Sequence, residues 1–139
     1  MVPVIAAPEA PVVRPLGEPD RDKIATLLKA VTNLVEAWEL TNEEAAALLD
    51  VSAATWGRMK SGKYKGEIDR DKITRISLLI GIFKGLRLLF NGPLTYGWVR
   101  TANRGGLFRG KTPCEVMING GIVAMYRVRQ HIDALRGGV

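Results

Sequence analysis

From Ile24 to Leu135 the apolar side chains recur at three- and four-residue steps, and no stretch alternates apolar and polar residues with the two-residue period of a half-buried strand. That periodicity restricts the chain to an all-α fold. Ile24, Leu27, Leu28, Val31, Leu34, Val35 and Trp38 mark one face of a first helix that ends near Leu40. Thr41 and Glu44 then form the T-x-x-E pattern of a capping box, opening a short helix that ends at Asp50. Ser52 is the N-cap of a third helix running to about Lys60, closed by Ser61-Gly62. After a glycine-bounded loop, Asp69 caps a long fourth helix, with Ile68 and Ile73 as a hydrophobic staple. Its expected buried face is Ile73, Ile76, Leu79, Ile80, Phe83, Leu86 and Phe90, and Asn91-Gly92-Pro93 stops it. The last third reads as three short helices. One spans about 93–102; one starts at Thr112-Pro113-Cys114-Glu115 and ends at Gly120-Gly121; one spans about 122–135.

Five of the seven prolines lie in residues 1–19, which lack either apolar period, so this segment is expected to be a disordered tail. Residues 20–90 and 91–139 are the two expected helical domains. Charge is divided along the chain: residues 1–50 carry four basic and nine acidic side chains, and residues 76–139 carry nine basic and two acidic. A basic surface of this kind suits an acidic or polyanionic partner, or is simply solvated. The single cysteine, Cys114, rules out an intrachain disulfide and fits a reducing cytoplasm. No secretory signal is expected, and no apolar run approaches the ~20 residues of a membrane span.

The segment Glu43–Met59 meets the spacing of a helix-turn-helix. Ala46 is the small residue where two helices cross, and Asp50 stands where the turn needs a left-handed backbone. Val51 plugs the crossing and Trp56 faces the core. If DNA is bound, Ser52–Lys60 lies in the major groove. Ser52, Thr55 and Arg58 are then the exposed candidates, Arg58 toward guanine or phosphate and Thr55 toward a base edge or thymine methyl, while Lys60, Lys63, Lys65 and Arg70 take phosphate. Few of these side chains are long, so a homodimer on a repeated half-site is expected. A structural hairpin that touches no DNA has the same pattern.

In the C-terminal third, Trp98-Val99, Asn103, Leu107-Phe108-x-Gly110-Lys111-Thr112-Pro113-x-Glu115-Val116, Gly120-Gly121 and Val128-x-x-x-Ile132-x-Ala134-x-x-Gly137 resemble the toxin-binding domain of the Xre/MbcA/ParS antitoxins. The G-x-T-P-x-E core is the most specific part. With the Xre-like helix-turn-helix before it, the resemblance spans about 20–138. It implies a type II antitoxin that neutralises a RES-domain toxin consuming NAD or transferring ADP-ribose, by occluding the toxin's active site with its C-terminal segment, and that represses its own operon. The alternative is a solitary helix-turn-helix regulator. Under the first reading the toxin contacts are Trp98, Leu107, Phe108, Arg109, Arg129, Asp133, Arg136 and Val139, with an exposed apolar patch expected near Trp98, Leu107 and Phe108. Arg136 is placed to pair with a toxin carboxylate, or to serve its own helix C-terminus; the Val139 carboxylate can mimic a phosphate. The partners are then a RES-domain toxin and operator DNA, in a homodimer or a hetero-oligomer with toxin. Cys114 and Met117-Ile118-Asn119 depart from the Leu-rich residues usual in the family.

No enzyme is indicated, because no nucleophile and base stand together. His131 has no second imidazole to share a metal, and neither cofactor nor metal is expected. Asp69 and Asp71 lie at a helix start, where negative charge is favoured, and do not form a catalytic pair. Gly105, Gly106 and Gly110 lack the strand and lysine of a phosphate loop, and read as a tight turn that exposes Phe108 and Arg109.

Overall fold

The computed structural model describes residues 21–137; the expected Pro-rich tail and Val139 lie outside them. Among the described residues there are six α-helices and no strand: α1 Arg21–Ala37, α2 Asn42–Leu49, α3 Ala53–Lys60, α4 Arg70–Leu89, α5 Leu94–Gly97 and α6 Pro113–Leu135, with a single 3-10 turn, Trp98–Arg100, between the last two. None of the described helices is long and apolar enough to cross a membrane.

The capping signals act as expected. The Thr41 hydroxyl accepts from the Glu44 N–H at 3.0 Å, and the Thr41 N–H donates to the Glu44 carboxylate at 2.9 Å. Thr112 and Glu115 repeat the exchange at the head of α6, with Pro113 in the first turn. Asp69 caps α4 through the Lys72 N–H. Each pairing satisfies backbone donors that a helix start otherwise leaves open.

α4 is the central element and packs against α1, α2, α5 and α6. Apolar side chains therefore go most of the way round it. Ile76, Leu79, Ile82 and Leu86 are buried, and Ile73, Leu78, Ile80, Phe83 and Phe90 are half-buried against the core. Ile82 was not on the expected face, because a one-sided periodicity describes a helix with one neighbour and α4 has several.

α6 lies along α4 in the same direction. A Cβ added at Gly85 would meet the Ile132 side chain at 2.8 Å, and one added at Gly81 would run into the Arg129 guanidinium. These two glycines, one helical turn apart, let the axes approach closely. α6 is broken at Gly121, whose φ of 66° and ψ of −149° belong to a region open essentially to glycine alone. The expected end at Gly120-Gly121 and restart at Ile122 match this break. The expected helix over 93–102 is shorter: α5 is four residues, and the chain tightens into the 3-10 turn that buries both Trp98 and Val99.

Gly85→Ala should destabilise the fold by about 1–3 kcal/mol, because the added methyl overpacks against Ile132 in a rigid interface. Gly81→Ala should change stability by no more than about 1 kcal/mol, since the Arg129 guanidinium can swing aside and alanine gains helix propensity. Urea denaturation of both variants checks the contrast.

Candidate nucleic-acid and protein interfaces

The helix-turn-helix is built as its spacing requires. Asp50 takes φ 54° and ψ 51°, and the Val51 N–H reaches back to the Ala46 carbonyl at 3.0 Å while the Asp50 N–H reaches that of Ala47 at 3.2 Å, a Schellman-type helix end. Ala46 and Trp56 are buried, and the Trp56 indole N–H donates to the Asn42 Oδ1 at 3.1 Å, with the Lys60 ammonium on the same oxygen at 3.2 Å. Asn42 thus ties the start of α2 to the end of α3. Arg75 fastens the turn to α4: its guanidinium donates to the Leu48 carbonyl at 3.1 Å and to Asp71 at 3.0 Å. Burial would raise the pKa of Asp71, but hydrogen bonds and charge from Lys72 and Arg75 outweigh it and hold the carboxyl below its ordinary value.

On α3, Ala53, Ala54, Gly57, Arg58 and Lys60 are exposed. Ser52 caps the helix through the Thr55 N–H at 3.1 Å. Thr55 is half-buried, and its hydroxyl is held by Ser52 at 3.0 Å and by Arg58 at 3.2 Å. Its expected freedom to read a base is therefore reduced by a local network. Lys63, Lys65 and Arg70 are exposed beyond α3. Sequence reasoning missed Gly57, which faces open space in mid-helix. With Ala53 and Ala54 it leaves α3 a nearly smooth face flanked by cations.

In the C-terminal layer the expected exposed patch at Trp98, Leu107 and Phe108 is not there. Trp98 and Phe108 are 5% and 2% exposed, and Leu107 is half-buried against the core. The two rings meet edge to face at 5.6 Å; His131 stacks on Trp98 at 6.1 Å and meets the edge of Phe108 at 5.2 Å. The physical reason is the loop before α6, which the pairing of Asn103 with Gly110 and Lys111 closes into a tight turn, tucking Phe108 inward and leaving Arg109 outside at a φ of 50°. These aromatic side chains hold the loop to α6 and offer no apolar contact surface.

Open apolar side chains lie on α6 itself, as well as at Leu88 of α4 and at Leu94 and Tyr96 of α5. Val123 and Tyr126 are 63% and 55% exposed, one turn apart, with Arg127 and Gln130 beside them. Their three-residue spacing, opposite the buried Met125, Val128 and Ile132, was a signal available in the sequence. Further along, Asp133 pairs with Arg129 at 3.4 Å and with Arg136 at 3.6 Å, so three of the expected toxin contacts form one half-exposed charged cluster at the end of α6. Leu88 and Leu135, 70% and 52% exposed, lie on the final turns of the parallel helices α4 and α6.

Cys114 is 2% exposed, with its Sγ 3.9 Å from the Glu44 carboxylate. Burial and that neighbouring negative charge push its pKa up to about 12.

The fold defined by these elements is that of a helix-turn-helix protein carrying a second helical layer on its long fourth helix. Residues 20–81 match the antitoxin Xre-like helix-turn-helix domain, and residues 86–138 match the antitoxin Xre/MbcA/ParS C-terminal toxin-binding domain. The chain is 32% identical over 123 residues to the uncharacterized protein y4oB of Sinorhizobium fredii, covering 86% of this chain and 91% of that one. Its fold is similar to a chain in the crystal structure of the M. tuberculosis MbcT–MbcA toxin–antitoxin complex, with a TM-score of 0.55 and 23% identity over 81% of this chain and 96% of that chain. The chain belongs to the Xre/MbcA/ParS family of antitoxins.

Native protein should resist alkylation of Cys114 by iodoacetamide at pH 8, and the urea-unfolded chain should be modified readily, as read by mass spectrometry; the thiolate is the reacting form, and only the fold suppresses it.

Proposed function

We propose that this antitoxin silences a RES-domain toxin acting on NAD by seating the face and end of α6 in the toxin's catalytic cleft, and that it represses its own operon as a dimer through α3. The observation that carries the reading is the make-up of α6. One side is anchored along α4 by the approach at Gly81 and Gly85, and the other presents Val123 and Tyr126 to solvent beside basic residues, running into the Arg129–Asp133–Arg136 cluster. A rigid helix with open aromatic and aliphatic side chains and charged groups at its end supplies the anchor and rim of a protein interface. A cleft that holds a dinucleotide offers cations for the pyrophosphate and commonly a carboxylate near the nicotinamide ribose. Arg136 can exchange Asp133 for such a carboxylate. Arg109, exposed on the preceding loop, adds a further cation to the contact.

The test is NAD turnover by the purified toxin. Excess antitoxin should abolish turnover, Tyr126→Asp should lose inhibition while keeping its helical circular dichroism, and a chain lacking residues 136–139 should inhibit weakly. Full inhibition by the truncated chain overturns occlusion by the C-terminal end; undiminished turnover under wild-type antitoxin overturns the whole reading.

On the DNA side, Arg58→Ala should cost about 1–3 kcal/mol of operator affinity and relax specificity, while Lys63→Ala should weaken binding across sequences and lower the salt slope by about one. Gly57→Ala should raise the melting temperature by a few degrees, because an exposed helical glycine costs about 1 kcal/mol against alanine, and weaken operator binding if the helix backbone lies close to the groove. Gel-shift titrations at several salt concentrations read all three.

A further inference from the structure

Between α1 and the segment that closes α3 runs a groove of about 830 Å³, its rim shared with the basic end of α3. Ile24 and Leu28 of α1 face Met59 and Tyr64 across it, so it is apolar within. Tyr64 is held as one wall: its hydroxyl donates to the Glu67 carbonyl at 2.7 Å, and its ring end lies so close over Gly66 that a Cβ there would fall 2.5 Å from the hydroxyl. Arg21, Lys29, Lys60 and Lys65 line the groove against one carboxylate, Glu67. Among the described residues Arg21, Lys29 and Lys65 have no ion-pair partner, while Lys60 reaches Asn42. A preformed aromatic wall over an apolar floor, with cations at the edge, is the chemistry that receives an extended proline-rich segment carrying acidic side chains.

We propose that the occupant is residues 1–20 of this same chain, lying back along α1. Three observations select it. The segment joins the fold at Arg21, which itself lines the groove, so it is present at high effective concentration. It carries five prolines, which favour an extended helix, and Val2, Val4, Ile5, Val12 and Val13 for the floor. Its carboxylates, Glu9, Glu18 and Asp20 against the one base Arg14, complement the cations of the rim. The lengths agree as well. The α1 wall from Arg21 to Asn33 is about 18 Å long at the rise of an α-helix, and about six residues of polyproline helix span it. Pro8–Val13 has the length to match it. Seated there, the segment sets its carboxylates against Lys60 and Lys65, both assigned to phosphate contact in the proposed operator reading, and so acts as an internal competitor for DNA. The seating itself does not depend on that reading.

The test uses the full chain. A nitroxide on an Ala10→Cys variant labels one site, because Cys114 is buried. Amide signals of Ser61–Glu67, on the wall opposite α1, should be lost in the labelled protein. They should return in Tyr64→Ala and, with the folded part untouched, in the tail variant Glu9→Lys/Glu18→Lys. Equal attenuation in the wild-type and tail-variant backgrounds overturns the proposal. So does attenuation in a mixture of nitroxide-bearing and isotope-labelled chains, which assigns the groove to the tail of a second copy.

Discussion

Everything in this fold leans on α4, which must be buried from two directions at once. On one side it closes the helix-turn-helix layer, with Arg75 reaching the Leu48 carbonyl at the turn; on the other it carries α6. A helix in that position needs apolar side chains most of the way round and somewhere for a neighbouring backbone to come close. Gly81 and Gly85 supply the second requirement. Without Gly85 the Ile132 side chain has no space and α6 has to stand further off, whereas at Gly81 only the movable guanidinium of Arg129 stands in the way. Close packing of this kind transmits position well, since interiors are dense and side chains fill them in single rotamers. The arrangement of the α6 surface is therefore set by α4 as much as by α6.

The same economy shapes the two outward faces. α3 offers a smooth strip of Ala53, Ala54 and Gly57 with Arg58 and Lys60 beside it, and the polar side chains that could have read bases, Ser52 and Thr55, are engaged in capping and in a local hydroxyl network. Such a face leaves the helix backbone accessible, with charge beside it. On α6 the division runs the other way. Tyr126 and Val123 are free, and the charges at the helix end are already paired with one another through Asp133. Charges pre-arranged in a half-exposed cluster are weakly stabilising on their own and can exchange partners at small cost.

The stops, starts and turn of the helix-turn-helix were legible because each rests on residues within five positions of each other: Thr41 with Glu44, Asp50 with Ala46, Ser52 with Thr55, Thr112 with Glu115. The break at Gly121 belongs with them. The candidate contacts were legible only as residue types. Arg129, Asp133 and Arg136 fall on one helix and come together through its periodicity. Trp98 reads both as a core-facing residue and as part of an open patch, and Phe108 as open beside a glycine-rich turn; both are buried, because His131 comes from α6, over twenty residues beyond Phe108, to close over them. No local pattern announces a partner that far along the chain.

What the sequence determined by itself is the helical class, the caps, the left-handed turn at Asp50 and the family motif, since these depend on backbone conformation and on hydrogen bonds between near neighbours. Helical spacing separates Val123 and Tyr126 from Met125, Val128 and Ile132, but tertiary structure alone decided which of the two sets faces outward and which glycines are contact points. Val123 and Val128 are the same residue type, yet one is open to solvent and the other buried. They differ in which side of α6 faces α4, and only the packing of whole helices against each other settles that.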